Sequence, residues 1–144
     1  MRIVVLSGLP GSGKSTWLRE NGLSALSSDA MREALTGDAT HQGINRLIFA
    51  TLRRLCEARL AAGCEVAYID STALTRWERR CWVRFAELHG CEVECVFFDV
   101  PLDVCKQRNV ARERRVPDDA MERMAARLEI PHENEGFRRV EVIR

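Results

Sequence analysis

The chain has 144 residues, of which 46% are hydrophobic and 30% charged, and its formal net charge is +1. Such a chain suits one globular domain with a real core, residues 1–144, and its weak net charge means that any polyanion must be met by a local basic patch. No apolar run approaches the roughly 20 residues of a membrane span, and Met1-Arg2 leads straight into a strand without space for a signal peptide.

The apolar run Ile3-Val4-Val5-Leu6 predicts a first strand over 2–6. Next comes Gly8-Leu9-Pro10-Gly11-Ser12-Gly13-Lys14-Ser15, a complete G-x-x-x-x-G-K-S phosphate-binding loop, and Thr16-Trp17-Leu18-Arg19-Glu20 carries a helix over 14–20. That strand–loop–helix context is what the motif requires. Glycines let backbone N–H groups turn inward around an anion, and the helix N-terminus adds partial positive charge. Lys14 can reach the β- and γ-phosphates, and the Ser15 hydroxyl can ligate Mg²⁺. Only Lys14 and Lys106 among the 22 basic residues are lysines. The loop needs a compact charge on a long stem, which the broad fork of arginine does not supply.

Residues 24–28 predict a short second strand, with Asp29 just past its end. A carboxylate at that rim can accept a proton from an acceptor hydroxyl, or simply cap a helix. Arg32, three residues on, can grip an acceptor phosphate or pair with Asp29. Ile44, Leu47, Ile48, Thr51, Leu52, Leu55 and Cys56 recur at helical spacing, so 43–62 reads as a long amphipathic helix stopped by Gly63. The third strand, 65–69, terminates in Asp70, which can hold Mg²⁺ through water, orient an acceptor, or serve a turn. A helix from Thr75 to His89 is expected to bury Trp77, Cys81, Phe85 and Leu88, with Gly90 as its stop. Strand 93–98 follows, and Pro101 suits the first turn of a helix over 101–112. Arg108 and Arg112 lie one turn apart on it, facing either a nucleotide or solvent. Pro117 opens a helix to Leu128, and 139–143 predicts a last strand. The loops expected to move are 37–43 and 112–116; the second carries Arg112, Arg114 and Arg115 at the mouth of the site.

Strand–helix alternation of this kind predicts a three-layer α/β/α fold with about five mainly parallel strands, ligands binding outside their carboxyl ends. The six cysteines form no C-x-x-C pair and sit mostly in apolar segments, so they read as buried free thiols in a reducing cytoplasm. His41, His89 and His132 are isolated and receive no catalytic role.

In this order the motifs resemble the 5′-hydroxyl polynucleotide kinase family, the kinase domain of phage and bacterial end-healing enzymes. The resemblance runs from the loop through Ser28-Asp29-x-x-Arg32, Asp70-x-Thr72, Phe98-Asp99-Val100-Pro101 and Arg108-Asn109-x-x-Arg112 to the tail Glu135-Gly136-Phe137-Arg138. It implies a P-loop kinase with an Arg-bearing mobile lid that uses ATP and Mg²⁺ on 5′-OH ends of RNA or DNA. By that resemblance, Gly8, Pro10, Gly11, Ser12, Gly13, Lys14, Ser15, Thr16 and Arg108 bind nucleotide, and Ser15 and Asp70 serve the metal. Asp29 would be the general base, Arg32 would hold the acceptor's 3′-phosphate, Asp70 and Thr72 would position the acceptor, and Arg112 would reach the transferring phosphate. One departure is Ala73, where the family's Asp-x-Thr-Asn motif has asparagine. The family's phosphatase and ligase modules are not in this sequence, which reads as a free-standing kinase or an excised domain.

Two other readings compete. A small-molecule or antibiotic phosphotransferase shares the loop and an early acidic base. A nucleotide switch or ATPase would bind without an organic acceptor; its GTPase form would need an Asn-Lys-x-Asp reader, whereas Lys106 is followed by Gln107-Arg108.

Overall fold

A computed structural model describes residues 1–113 and 115–144, so Arg114 of the arginine cluster lies outside the described residues. Five strands alternate with helices: β1 (Arg2–Ser7), α1 (Lys14–Glu20), β2 (Ala25–Ser27), α2 (Ser28–Thr36), α3 (Asn45–Ala61), β3 (Val66–Asp70), α4 (Arg76–His89), β4 (Glu92–Phe98), α5 (Leu102–Val110), α6 (Asp118–Arg127) and β5 (Val140–Ile143). All strand pairs are parallel, in the order β2-β3-β1-β4-β5. Because the chain leaves β1 first toward β2 and later crosses back to β4, β1 stands at the reversal of winding, where α/β sheets bind ligands.

Alternate residues of each strand feed opposite faces. Ile3, Val5, Ala67, Ile69, Val93 and Cys95 pack against Ile48, Leu52 and Cys56 of α3 and Trp82, Phe85 and Ala86 of α4. Val4, Leu6, Val96 and Phe98 pack against Leu18 of α1. A third cluster, Leu9, Leu74, Cys105 and Met121, seats α5 and α6 over the carboxyl end of the sheet. Register brings the critical rim residues level: Leu6 and Ser27 both align with Asp70.

Several expectations need correction. Trp77 and Leu88 are each 80% exposed, not core, and Leu47 and Leu55 also reach solvent. The buried face of α4 is turned toward Arg79, Trp82, Val83, Phe85 and Ala86. Periodicity misled there because a buried arginine reads as polar, which displaced the inferred stripe around the helix. Helix α5 stops at Val110, so Arg112 lies just beyond it. All six cysteines are free, but only Cys56, Cys95 and Cys105 are buried; Cys64, Cys81 and Cys91 are half-buried. Burial pushes the Cys56 thiol up to about 11 and the Cys95 thiol up to about 12, so neither ionises near neutrality.

Candidate active site

The phosphate-binding loop leaves β1 and turns through glycines with left-handed backbones, Gly11 at φ 81° and Gly13 at φ 103°. At Gly11 the space is also closed, because an added Cβ would lie 2.5 Å from the Cys105 carbonyl oxygen of α5. The loop and α5 therefore meet through bare backbone. Gly13 precedes α1 without any side-chain cap, and no acidic residue occupies the first turn, so the helix start faces the loop electrically open to an anion. A backbone bond from Gly8 N–H to the Thr72 carbonyl, 2.9 Å, ties the loop to the segment after β3.

Lys14 is buried, and its ammonium donates to the carbonyls of Gly8 at 2.7 Å and Leu9 at 3.0 Å. Burial pushes it down to about 8, with Arg112 adding repulsion and Asp70 and Asp29 opposing the fall. Asp70 is shifted the other way, upward: burial is the main cause, Asp29 adds to it, and Lys14 and Arg112 oppose it. These mutual fields place Lys14, Asp29, Asp70 and Arg112 in one electrostatic cluster.

Asp29 belongs to the first turn of α2, but it is not the cap. Ser27 fills that role, its Oγ accepting from Ala30 N–H at 3.2 Å. Asp29 is half exposed, and its Oδ1 accepts from Arg32 Nη1 at 2.9 Å. Among the described residues its Oδ2 accepts no hydrogen bond, and Asp29 lines the cleft. Arg32 is buried and also donates from Nη2 to Asn45 Oδ1 at 2.8 Å, so α2 and α3 jointly hold the carboxylate. Its Nε is buried without a partner among the described residues.

Arg108 and Arg112 flank the loop from the α5 side. The Arg108 guanidinium comes within 3.6 Å of where a Gly13 Cβ would sit. Arg112 follows the turn made by its own N–H to the Asn109 carbonyl, 3.1 Å, and its Nη1 is buried with no partner among the described residues. Asn109 bonds twice to the Val116 backbone: its Nδ2 donates to the Val116 carbonyl at 2.6 Å and its Oδ1 accepts from Val116 N–H at 3.0 Å. The loop, Asp29, Arg32, Asp70, Thr72 and both arginines line a broad open cleft of about 2060 Å³.

These residues fit a triphosphate. An unpartnered buried donor on Arg112, a buried Lys14 and a glycine cradle all face the same cleft. For a metal, the described residues contain no group of three or more His, Cys, Asp and Glu side chains able to form a cage. The Ser15 hydroxyl and the Asp70 carboxylate are oxygen ligands of the kind Mg²⁺ takes alongside substrate phosphates and water.

The model of the AAA domain family matches residues 3–131, nearly the full length. The chain belongs to that family. This AAA domain is 25% identical over 148 aligned positions to the bifunctional polynucleotide phosphatase/kinase of Schizosaccharomyces pombe; the alignment covers 98% of the chain but 33% of that relative, so the chain spans about a third of its length. It also resembles the structure of a sugar kinase from Janibacter sp. HTCC2649, at 27% identity and a TM-score of 0.70, covering 99% of this chain and 84% of that one. A third likeness is the APS kinase of Mycobacterium tuberculosis in complex with AMPPNP and APS, at 27% identity and a TM-score of 0.57, covering 76% and 69% of the two chains. The AAA domain described here is a P-loop enzyme of kinase type.

Three supports of the site received no role in the sequence reading, although Asn109 stands in the Arg108-Asn109-x-x-Arg112 motif. Asn45 and Asn109 make contacts with residues far along the chain or with backbone, which no periodicity reveals. The third is Arg79, fully buried, whose Nε and Nη2 meet Glu135 at 2.9 and 3.0 Å while its Nη1 donates to the Ala73 carbonyl at 2.9 Å. Ser7 Oγ donates to the same carbonyl at 2.9 Å. Ala73 has φ 43°, a left-handed conformation that costs an L-residue with a Cβ about 1–2 kcal/mol and suits asparagine or glycine better. A backbone reason thus exists for the asparagine of the resembling family, and here the clamp on the carbonyl holds alanine in that shape.

The low Lys14 pKa carries a prediction. A bound triphosphate favours the ammonium form, so above pH 8 nucleotide binding takes up a proton. Affinity for ATP should then fall by roughly tenfold per pH unit once pH exceeds 8. Calorimetry at pH 9 in buffers of different ionisation heat measures the uptake directly. A binding heat independent of buffer would show that Lys14 is already charged.

Proposed function

We propose that this chain transfers the γ-phosphoryl group of ATP to the 5′-OH end of RNA or DNA, as in nucleic-acid end repair in the cytoplasm. The observation that carries the reading is the Asp29–Arg32 pair, which lines the same cleft as Lys14 and Arg112. The relative in Schizosaccharomyces pombe adds support over nearly the whole chain.

In this reading Lys14, the loop N–H groups and Ser15 hold the triphosphate, with Arg108 over the loop. Mg²⁺, when bound, neutralises phosphate charge. Asp29 Oδ2 accepts the proton of the 5′-hydroxyl as its oxygen bonds to the γ-phosphorus and the bridge to the β-phosphate breaks. The ADP leaving group keeps that bond's electron pair, and Arg112 stabilises charge on the transferring group. Arg32 first orients Asp29; Asp29 and Asn45 take one N–H from each of its terminal nitrogens, and the second N–H on each is left for an acceptor phosphate. Asp70 and Thr72 border the acceptor.

A second reading is a small-molecule phosphotransferase, favoured by the sugar-kinase likeness and by the engagement of both terminal nitrogens of Arg32 inside the protein. Incubation with γ-labelled ATP and Mg²⁺ separates the two. The expected result is label on 5′-OH oligonucleotides, none on 5′-phosphorylated counterparts, and none on a panel of hexoses and gluconate. Label on a sugar and on no oligonucleotide would replace the first reading by the second.

A further inference from the structure

The surface of α4 departs most sharply from expectation at Trp77, an indole 80% exposed on the wall of the same cleft that holds Asp29. It is not an isolated apolar residue. Along its helix face follow Arg80, Cys81 and Arg84, at spacings of three, four and seven, which superimpose on one side of an α-helix. Helix α3 presents a matching row, Arg46, Ala50 and Arg53, at spacings of four and seven. Arg53 stands close enough to Cys81 to oppose the upward push that burial gives its thiol, and both rows line the same cleft. Arg46, Arg80 and Arg84 are exposed and Arg53 half-buried, and among the described residues none of the four forms a salt bridge.

Among the described residues no acid forms a salt bridge with this row; Glu87, three residues after Arg84, stands exposed at the far end of the same helix face. Glu78, the acid nearest Trp77, accepts from Leu74 N–H at 2.8 Å and pairs with Arg127 at 2.5 Å. Glu57, the acid of α3, pairs with Arg54 at 3.5 Å and lies beside His89 near the far end of both helices. With a net charge of only +1, four arginines around one exposed indole are a local arrangement, not a sign of a basic protein. A positively charged groove with an aromatic platform is the combination that holds single-stranded nucleic acid: arginines follow the phosphates and the ring stacks a base of any identity.

We propose that the α3–α4 groove binds the single-stranded segment that follows the reacting 5′ end, with Trp77 stacking a base and Arg46, Arg53, Arg80 and Arg84 contacting its phosphates. The proposal rests on the end-kinase reading for the direction of the strand, since the groove opens into the cleft at Asp29. It goes beyond that reading by assigning length dependence to a surface away from the reacting atoms. A nucleoside-sized acceptor ends before the groove and gains nothing from it.

The test uses Trp77→Ala, Trp77→Phe and the double variant Arg80→Ala/Arg84→Ala, all at exposed positions, each checked for folding by circular dichroism. Two acceptors are compared, a nucleoside 3′-phosphate and a 5′-OH single-stranded 12-mer, together with anisotropy of a fluorescent 12-mer. For the 12-mer, Trp77→Ala should raise KM and Kd about tenfold with kcat unchanged, and Trp77→Phe should recover most of that loss. The double variant should lower the dependence of log Kd on log salt by about 1.4, roughly 0.7 for each phosphate no longer neutralised by an arginine. The nucleoside 3′-phosphate should respond to none of them. Unchanged 12-mer binding in Trp77→Ala, an equal loss for both acceptors, or no 12-mer binding by the parent chain (as for a groove meant for an acidic protein) would overturn the proposal. A 12-mer bound through Trp77 yet never phosphorylated would uphold the groove and refute the end-kinase reading, so the two fail separately.

Discussion

Replacing Asp29 by asparagine is expected to reduce kcat for phosphoryl transfer by about 10³-fold, within the 10²–10⁴ range of a lost general base, while ATP binding stays within about twofold. The amide keeps the shape and can still accept from Arg32 through its oxygen, so buried Arg32 is not stranded. What it cannot do is take the acceptor's proton. Alanine is a poorer test, because it would leave the Arg32 guanidinium buried with only Asn45 as partner. Rate and affinity should therefore separate: single-turnover transfer collapses while calorimetric nucleotide affinity persists. Loss of both together would assign Asp29 to holding the fold, and retention of transfer would remove it from the chemistry altogether.

The second large effect concerns stability. Arg79 and Glu135 form a buried, two-pronged ion pair, with side chains 0% and 4% exposed. Glu135→Ala should cost about 3–5 kcal/mol, because it leaves a buried guanidinium uncompensated. Urea unfolding reads the change, and a loss below about 1 kcal/mol would show that water or relaxation satisfies Arg79. Substituting both partners, Arg79→Met with Glu135→Leu, should recover much of that stability, since two apolar side chains need no pairing. It would not restore the donor to the Ala73 carbonyl, so the strained turn between Asp70 and α4 should loosen and the KM for the acceptor should rise. Burial acts to raise the Glu135 pKa, but hydrogen bonds from Arg79 and from His132 N–H, with the Arg79 charge, outweigh it and hold the carboxyl below its usual value. The unfolded chain therefore binds this proton more readily. The pair's stabilisation is complete above about pH 4.5 and is lost as pH falls through the lower folded value.

This buried pair also explains where sequence reading stopped. The repeat Trp77, Cys81, Phe85 and Leu88 is as regular as a core stripe, yet of these only Phe85 is buried, and α4 buries Arg79, Trp82, Val83 and Ala86 beside it. Hydrophobic periodicity assumes that charge faces water, and Arg79 breaks the assumption because Glu135, 56 residues later, supplies its counter-charge. The tail that carries Glu135 folds back beside α4 at Gly136, where φ is 116° and an added Cβ would strike Val83 at 2.5 Å. Likewise, local sequence left Asp29 between cap and base. Only the Ser27 hydroxyl bonded to Ala30 N–H shows that the cap is already filled.

From the sequence alone came the succession of strands and helices along the chain, the phosphate loop with its lysine, and the alternation that makes the sheet parallel. Those depend on interactions within a few residues: a glycine's freedom, a helix start, the period of apolar side chains. Tertiary structure decided what each polar residue faces. Register set Asp70 level with Leu6 and Ser27, Asn45 and Arg32 fixed Asp29, and the packing of α4 turned Trp77 outward. Apart from the local Asp29–Arg32 bond, these outcomes rest on partners on other elements, and whether a buried charge or an exposed indole is tolerable is a matter of what stands opposite it.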